Sequence, residues 1–348
     1  MEKILTKKSF PKWIEKLATI QMYAPVVKDN LWSYTAVDGN KITTAKQNTY
    51  TNAIQSPKKI IFPQREQFLE FSHNDDGSQN IQEILPEDQE SIIFGVRPCD
   101  AKGVSHMDKV FSGDFEDVYY SKRRKQVALV GVGCNTPPSP NCFCTSVDGS
   151  PHSKEGLDVL LTEMGDNYYV QSFTKKGDKL INMAKALFKT PTAKEKTDLA
   201  SQHKAAKNKL PRDLKDTKEI PPKLKGLFDS EIWDEEAMSC IRCGICTYLC
   251  PTCHCFDISD EITSHSPVEG KRVRNWDNCQ FPDFTMHSSG HNPRPDKASR
   301  LRQRVMHKFQ YFVEIYNNYQ CTGCGRCVSK CPVGIDIIQV LEKVRDHV

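Results

Sequence analysis

The chain has 348 residues, 48 Lys and Arg against 44 Asp and Glu, a formal charge of +4, and 38% hydrophobic residues. That length predicts two domains with separate cores, the mixed charge demands no nucleic-acid partner, and no apolar run is long enough to span a bilayer. Fifteen cysteines follow a basic start with no apolar segment and no secretory signal, which points to reduced thiols and metal in the cytoplasm and away from disulfides.

Ser9 is placed to cap a first helix with Pro11 in its first turn, running through Trp13, Ile14 and Leu17. Between Pro25 and Pro63, the stretches Leu31-Trp-Ser-Tyr-Thr-Ala and Lys58-Lys-Ile-Ile-Phe read as strands broken at Asp38-Gly39. Ser91-Ile-Ile-Phe-Gly-Val and Gln126-Val-Ala-Leu-Val-Gly-Val read as buried strands, with a helix over Ala101 to Val110 between them. A strand, a crossover helix and a second strand predict a parallel pair whose carboxyl ends share one edge, where open α/β sheets keep their ligand sites.

Cys99 follows the first of these strands and Cys134 the second. The proline-rich loop from Thr136 returns Cys142 and Cys144 to the same rim. Four thiols there suit a third [4Fe-4S] cluster, a zinc ion, or unmetallated packing. Gly131-Val-Gly133 lacks the third glycine of a dinucleotide loop and is discounted.

Gly156 to Thr162 and Asn167 to Phe173 are strand candidates around Gly165-Asp166, and Ile181 to Leu187 reads as helical. The Lys-rich segment 191–227 reads as a solvated helical or extended linker, its charge diluted by Glu195, Asp198, Asp213, Asp216 and Glu219. The expected organisation is an α/β domain over 1–190 with a mixed or parallel sheet, that linker, and an all-α two-cluster ferredoxin domain over 228–348.

The second domain opens with a short helix near Glu231 and then carries Cys240-Ile-Arg-Cys243-Gly-Ile-Cys246-Thr-Tyr-Leu-Cys250-Pro251. A matching run is Cys321-Thr-Gly-Cys324-Gly-Arg-Cys327-Val-Ser-Lys-Cys331-Pro332. Both follow C-x2-C-x2-C-x3-C-P, in which three close cysteines wrap one cubane and the fourth serves the other. The crossed assignment gives Cys240, Cys243, Cys246 and Cys331 to cluster 1, and Cys321, Cys324, Cys327 and Cys250 to cluster 2. Gly244 and Gly325 suit the tight turns. Two zinc sites are the competing reading, opposed by four cysteines per run and the trailing prolines.

Cys250-Pro-Thr-Cys253-His254 imitates a haem attachment motif, but Cys250 already belongs to the cluster run. Cys253, Cys255 and Cys279 are left over, either as buried thiols or as ligands of an additional metal, and His254, His265, His287 and His291 are read as packing residues. A helix from Lys297 to Tyr316 carries the apolar stripe Leu301, Val305, Phe309, Phe312 and Tyr316. Arg300, Arg302, Arg304 and Lys308 lie on its other sides, as a solvated basic face or as a positive surface for cluster charge or an acidic partner. A last helix runs from Asp336 through Val344.

Arg97-Pro-Cys99-Asp, Cys142-Phe-Cys144, Trp276-Asp-Asn-Cys279, Gly290-His-Asn-Pro-Arg-Pro, Arg300-Leu-Arg-Gln-Arg and His307-Lys-Phe accompany the two runs. Together they resemble the iron-sulfur subunit family that contains the sulfhydrogenase beta subunit and the anaerobic sulfite reductase A subunit, across roughly residues 85 to 345. The resemblance implies a [4Fe-4S] electron wire in a cytoplasmic anaerobic complex. It would lie between an FAD-containing flavoprotein that oxidises NAD(P)H and a catalytic subunit of sulfite reductase, sulfhydrogenase or heterodisulfide reductase type. It also implies cluster ligation for Cys99, Cys134, Cys142 and Cys144. No nucleophile elbow, phosphate loop or paired catalytic carboxylates are present in the sequence, so no catalytic residue is assigned. A catalytic sulfur-reducing subunit using the upstream cysteine site, and a protein only braced by metal, are the rival classes.

Overall fold

The computed structural model describes residues 1–37, 52–74 and 76–347, and Asp38-Gly39 lies outside them. Strands β1 (Glu2–Thr6), β2 (Gln21–Lys28), β3 (Leu31–Val37), β6 (Ser91–Val96), β7 (Val127–Val132), β8 (Val159–Met164), β9 (Asn167–Ser172) and β10 (Phe188–Lys189) form one mixed sheet. Its order is β10-β1-β9-β8-β7-β6-β2-β3. The β2–β6, β6–β7 and β7–β8 pairs are parallel, and the flanking pairs are antiparallel.

Every residue of β6 is buried because helices cover both faces, which is why its sequence is continuously apolar instead of alternating. On one face the helix Phe10–Leu17 packs Phe10, Trp13, Ile14 and Leu17 with Leu180 and Ile181 over Ile92, Phe94 and Val130. On the other, the helix Pro98–Phe111 sets Val104, Met107 and Phe111 with Tyr120 over Ile93, Val96 and Leu129.

Two local expectations change. Ser9 stands at the helix start, but its hydroxyl meets Thr6 Oγ1 at 2.9 Å and makes no cap bond. Lys58-Lys-Ile-Ile is a helical turn, Lys58–Ile61, and not a strand. There Ile61 and Phe62 pack under Phe111, so the apolar pair is buried without sheet pairing. In segment 191–227, Ala193–Asn208 is a helix opened by a Thr192/Glu195 capping box, and its Leu199 packs on Ile4 and Tyr169.

A second sheet, of order β11-β12-β4-β5, joins β4 (Arg65–His73) and β5 (Gln79–Glu83) to a hairpin of β11 (Phe256–His265) and β12 (Val268–Trp276). The hairpin lies between the two cysteine runs, so the segment separating them adds strands to an otherwise helical region. Buried Arg274 secures the join: it pairs with Glu66 at 2.5 Å and with Asp117, and its guanidinium stands 4.8 Å from the rings of Phe62 and Phe68.

Around the runs, Leu301, Val305, Phe309, Ile338, Leu341 and Val344 form a third core that also takes in Phe143 and Val147 from the proline-rich loop. The helix Lys297–Met306 continues through a π turn at His307–Tyr311 into Phe312–Tyr316. The wider turn shifts which side chains face inward midway along the helix.

Candidate metal centre

Each run folds as the cysteine spacing dictates. Gly244 and Gly325 hold φ at +75° and +72°, and each starts a short helix that presents the third cysteine. A Cβ at Gly244 would lie 2.1 Å from Asn278 Nδ2, whose amide donates to the Gly244 carbonyl at 2.8 Å.

Cys240, Cys243, Cys246 and Cys331 line one cavity together with Gln280, Leu301, Arg304 and Cys327. Cys243 is exposed, so this site reaches the surface. Cys321, Cys324 and Cys327 each lie close enough to Cys250 to feel its charge. Burial pushes the Cys321 thiol up to about 12 and the Cys327 thiol to about 11. Contact with the Cys253 thiol and the charges of Lys308 and Arg304 hold Cys250 below its ordinary range. Because Cys327 borders both sites, they are neighbours.

The upstream four also converge. Cys99 sits in the first turn of the Pro98–Phe111 helix and Cys134 just beyond β7, where Arg97 Nη1 donates to the Gly133 carbonyl at 3.2 Å. Cys142 and Cys144 each feel the charge of Cys134, and Cys99 feels those of Cys134 and Cys324. Burial raises both Cys142 and Cys144 to about 12. This rim is stitched to the second run. The Phe143 amide donates to the Gly323 carbonyl at 2.9 Å, and a Cβ on Gly323 would lie 2.5 Å from Cys144 Cα. Pro251 packs against Gly103, where an added Cβ would lie 2.7 Å from the ring. The three thiol sets therefore follow one another through the molecule.

The basic residues of the Lys297–Tyr316 helix were read from the sequence as a surface. Arg300, Arg304 and Lys308 are instead buried. Arg304 Nη1 lies 3.6 Å from Cys253 Sγ, and Nη2 donates to the Cys246 carbonyl at 2.8 Å. Lys308 Nζ donates to Thr252 Oγ1 at 3.0 Å. Lys58 Nζ donates to the Cys253 carbonyl at 2.7 Å and lies 4.0 Å from the Trp276 ring centroid. Burial opposes the charge on Arg304 and Lys308, yet the surrounding thiolates hold both pKa values above the usual range.

Among the described residues neither cation has a carboxylate within ion-pair distance. Two buried cations whose counter-charge is sulfur fit a thiolate-bound anionic cluster, since neutral thiols would leave them uncompensated. No three His, Cys, Asp or Glu side chains among the described residues converge tightly enough for a single ion.

Cys253 lies against Cys250, and Cys255 against Cys279. His254 is half-buried, with Nδ1 3.1 Å from the Thr252 carbonyl and its ring edge-on to His307 and Phe111. Sequence reasoning missed Lys58, which arrives from a distant turn, and Asp100, which receives Arg326 of the second run. Only the adjacency of Asp100 to Cys99 could have drawn notice.

A family model described as a 4Fe-4S dicluster domain matches residues 239–335, and with the paired runs it defines an iron-sulfur protein of the dicluster class. The chain is 30% identical to sulfhydrogenase 2 subunit beta of Pyrococcus furiosus over 343 residues, covering 97% of this chain and 96% of that one. The chain belongs to the sulfhydrogenase beta-subunit family, and the likeness extends into the region before residue 85. No solved structure matches it. Among the described residues no helix is long and apolar enough to cross a membrane.

Proposed function

We propose that this chain is the electron relay of a multi-subunit redox complex. It would pass single electrons between an FAD-containing, NAD(P)H-oxidising flavoprotein and a catalytic subunit in the cytoplasm. Cys240, Cys243, Cys246 and Cys331 would hold one [4Fe-4S] cluster and Cys321, Cys324, Cys327 and Cys250 a second. Cys99, Cys134, Cys142 and Cys144 would hold a third. The clusters supply the one-electron chemistry, while the polypeptide sets spacing, insulation and local charge.

The observation that carries this reading is the succession of thiol sets, with Cys327 bordering the first two and Gly323 pressed against Cys144. Exposed Cys243 gives one end of the relay access to a partner. Arg304 and Lys308 keep negative charge at the paired sites from being expelled by the low dielectric around them. Among the relay classes, sulfhydrogenase is favoured by the beta subunit of that name to which the chain is similar. Iron and acid-labile sulfide counting on anaerobic protein, with a spectroscopic redox titration, tests the proposal. Three reducible cubanes would support it, and zinc without a reducible chromophore would sink it.

A further inference from the structure

Thr252 stands two residues after Cys250, just past Pro251, and is buried. Its Oγ1 lies 3.2 Å from Cys250 Sγ on one side and 3.0 Å from Lys308 Nζ on the other. Lys308 enters on the π turn His307–Tyr311, a wide turn of the kind often found at functional sites. Its Nζ is also 3.4 Å from Gln320 Oε1, and the Gln320 amide donates to the Lys308 carbonyl at 2.9 Å. Gln320 directly precedes Cys321, so Thr252, Lys308 and Gln320 join two cysteines assigned to the same cluster.

The direction of each bond follows from what the groups can give and take. An ammonium only donates and a metal-bound thiolate only accepts, whereas a hydroxyl carries one proton and two lone pairs. Burial opposes the charge on Lys308, but the nearby thiolates keep it an ammonium. Thr252 Oγ1 therefore accepts from Lys308, and its single proton is left to point at Cys250 Sγ. The matching place in the second run, two residues after Cys331, is Val333, which has no proton to give. Cys331 Sγ accepts from the Ile335 amide at 3.2 Å instead. The two fourth ligands thus differ: one meets a hydroxyl polarised by a buried cation, the other a plain backbone amide.

We propose that Thr252 is a positioning residue that sets the potential of the cluster held by Cys250, Cys321, Cys324 and Cys327, its hydroxyl passing the pull of the Lys308 ammonium to Cys250 Sγ. The proposal rests on the relay reading and its ligand assignment. A reduced cubane carries one more negative charge than the oxidised one, so a donor to its ligand sulfur stabilises the reduced state more. Charge-assisted hydrogen bonds are the strong ones, and burial keeps water from replacing this one. The bond raises the midpoint of this cluster and leaves the other clusters as they are.

The test uses full-length, iron-loaded protein kept anaerobic, unaltered and as Thr252→Val and Thr252→Ser. Valine keeps the shape of threonine and already follows the second run as Val333. Iron and sulfide are counted, and each form is titrated with dithionite and redox dyes under electron paramagnetic resonance. In Thr252→Val iron should be unchanged while one midpoint falls by about 59 mV, a tenfold loss in the reduction equilibrium, and the others hold. Thr252→Ser keeps the hydroxyl and should titrate with the unaltered protein. Thr252→Val with full iron and unmoved midpoints overturns the proposal and leaves the relay standing. An equal fall in the serine form, or a fall shared by all the clusters, also overturns it. If Thr252→Val loses iron, Thr252→Ala is titrated in its place, and iron loss there too makes the residue structural and overturns the proposal. Protein that never carries reducible iron removes the relay and this proposal together.

Discussion

Arg326, in the middle of the second cysteine run, grips Asp100, the residue after Cys99, in a two-pronged buried ion pair with Nη2 to Oδ2 at 2.8 Å. Two further donors are used as well: Nε donates to the Ala53 carbonyl at 2.9 Å and Nη2 to Asn52 Oδ1 at 2.7 Å. One guanidinium thus ties the thiol set at the sheet edge to the set in the helical region. Such additional hydrogen bonds are what make a buried pair tolerable away from water.

Replacing Arg326 with Gln leaves Asp100 buried without its cation, a loss of about 3–5 kcal/mol by the usual cost of breaking a buried pair. Chemical denaturation should show a midpoint shift of that size, and Asp100→Asn should not add a second full loss in the double variant. Additive losses would mean that the two residues act separately.

Arg304 bears on redox potential. It touches Cys253 Sγ and the Cys246 carbonyl and feels the charges of Cys250 and Cys327. Arg304→Met removes a buried positive charge beside the paired sites, so their reduction becomes harder. The midpoint should fall by roughly 60 mV or more, the one-electron equivalent of a tenfold change in equilibrium. An anaerobic titration followed by electron paramagnetic resonance reads it, and an unmoved midpoint would contradict the assignment.

Cys142→Ser should remove the iron of one cubane, about four atoms, and leave the paired sites filled. Cys142 lies with Cys134 and Cys144 and belongs to neither run. Unchanged iron would discard the third site.

Gly323 and Gly290 make a matched pair, with φ at +65° and +80°. An added Cβ at Gly290 meets nothing within 4 Å, whereas at Gly323 it would lie 2.5 Å from Cys144 Cα. Gly290→Ala should cost about 1–2 kcal/mol, the left-handed penalty alone. Gly323→Ala should cost more and should also loosen iron at the upstream set, because the two loops must part. Equal losses in thermal melts and iron counts would show that this contact is not needed.

Much of the fold was legible from local pattern. Ser91–Val96 and Val127–Val132 read as buried parallel strands because uninterrupted apolar runs need cover on both faces, and they have it. The Lys58 stretch failed because four apolar-flanked residues do not separate a buried turn from a strand, and packing under Phe111 decided it. The hairpin Phe256–Trp276 was overlooked between two runs that advertise helices. Its alternation is weak, since β11 has exposed residues along most of its length and pairs only with β12.

The sequence by itself determined the two cysteine runs and the turns that shape them, because a thiol spacing closed within a dozen residues is local chemistry. Only the tertiary structure decided where the charged side of the Lys297–Met306 helix points. Arg300, Arg304 and Lys308 recur every four residues on one face, a pattern that leaves open both a solvated face and a positive surface for cluster charge or an acidic partner. That helix is enclosed on both sides, by apolar residues on one and by thiols on the other, and burying cations there is tolerable only opposite negative sulfur.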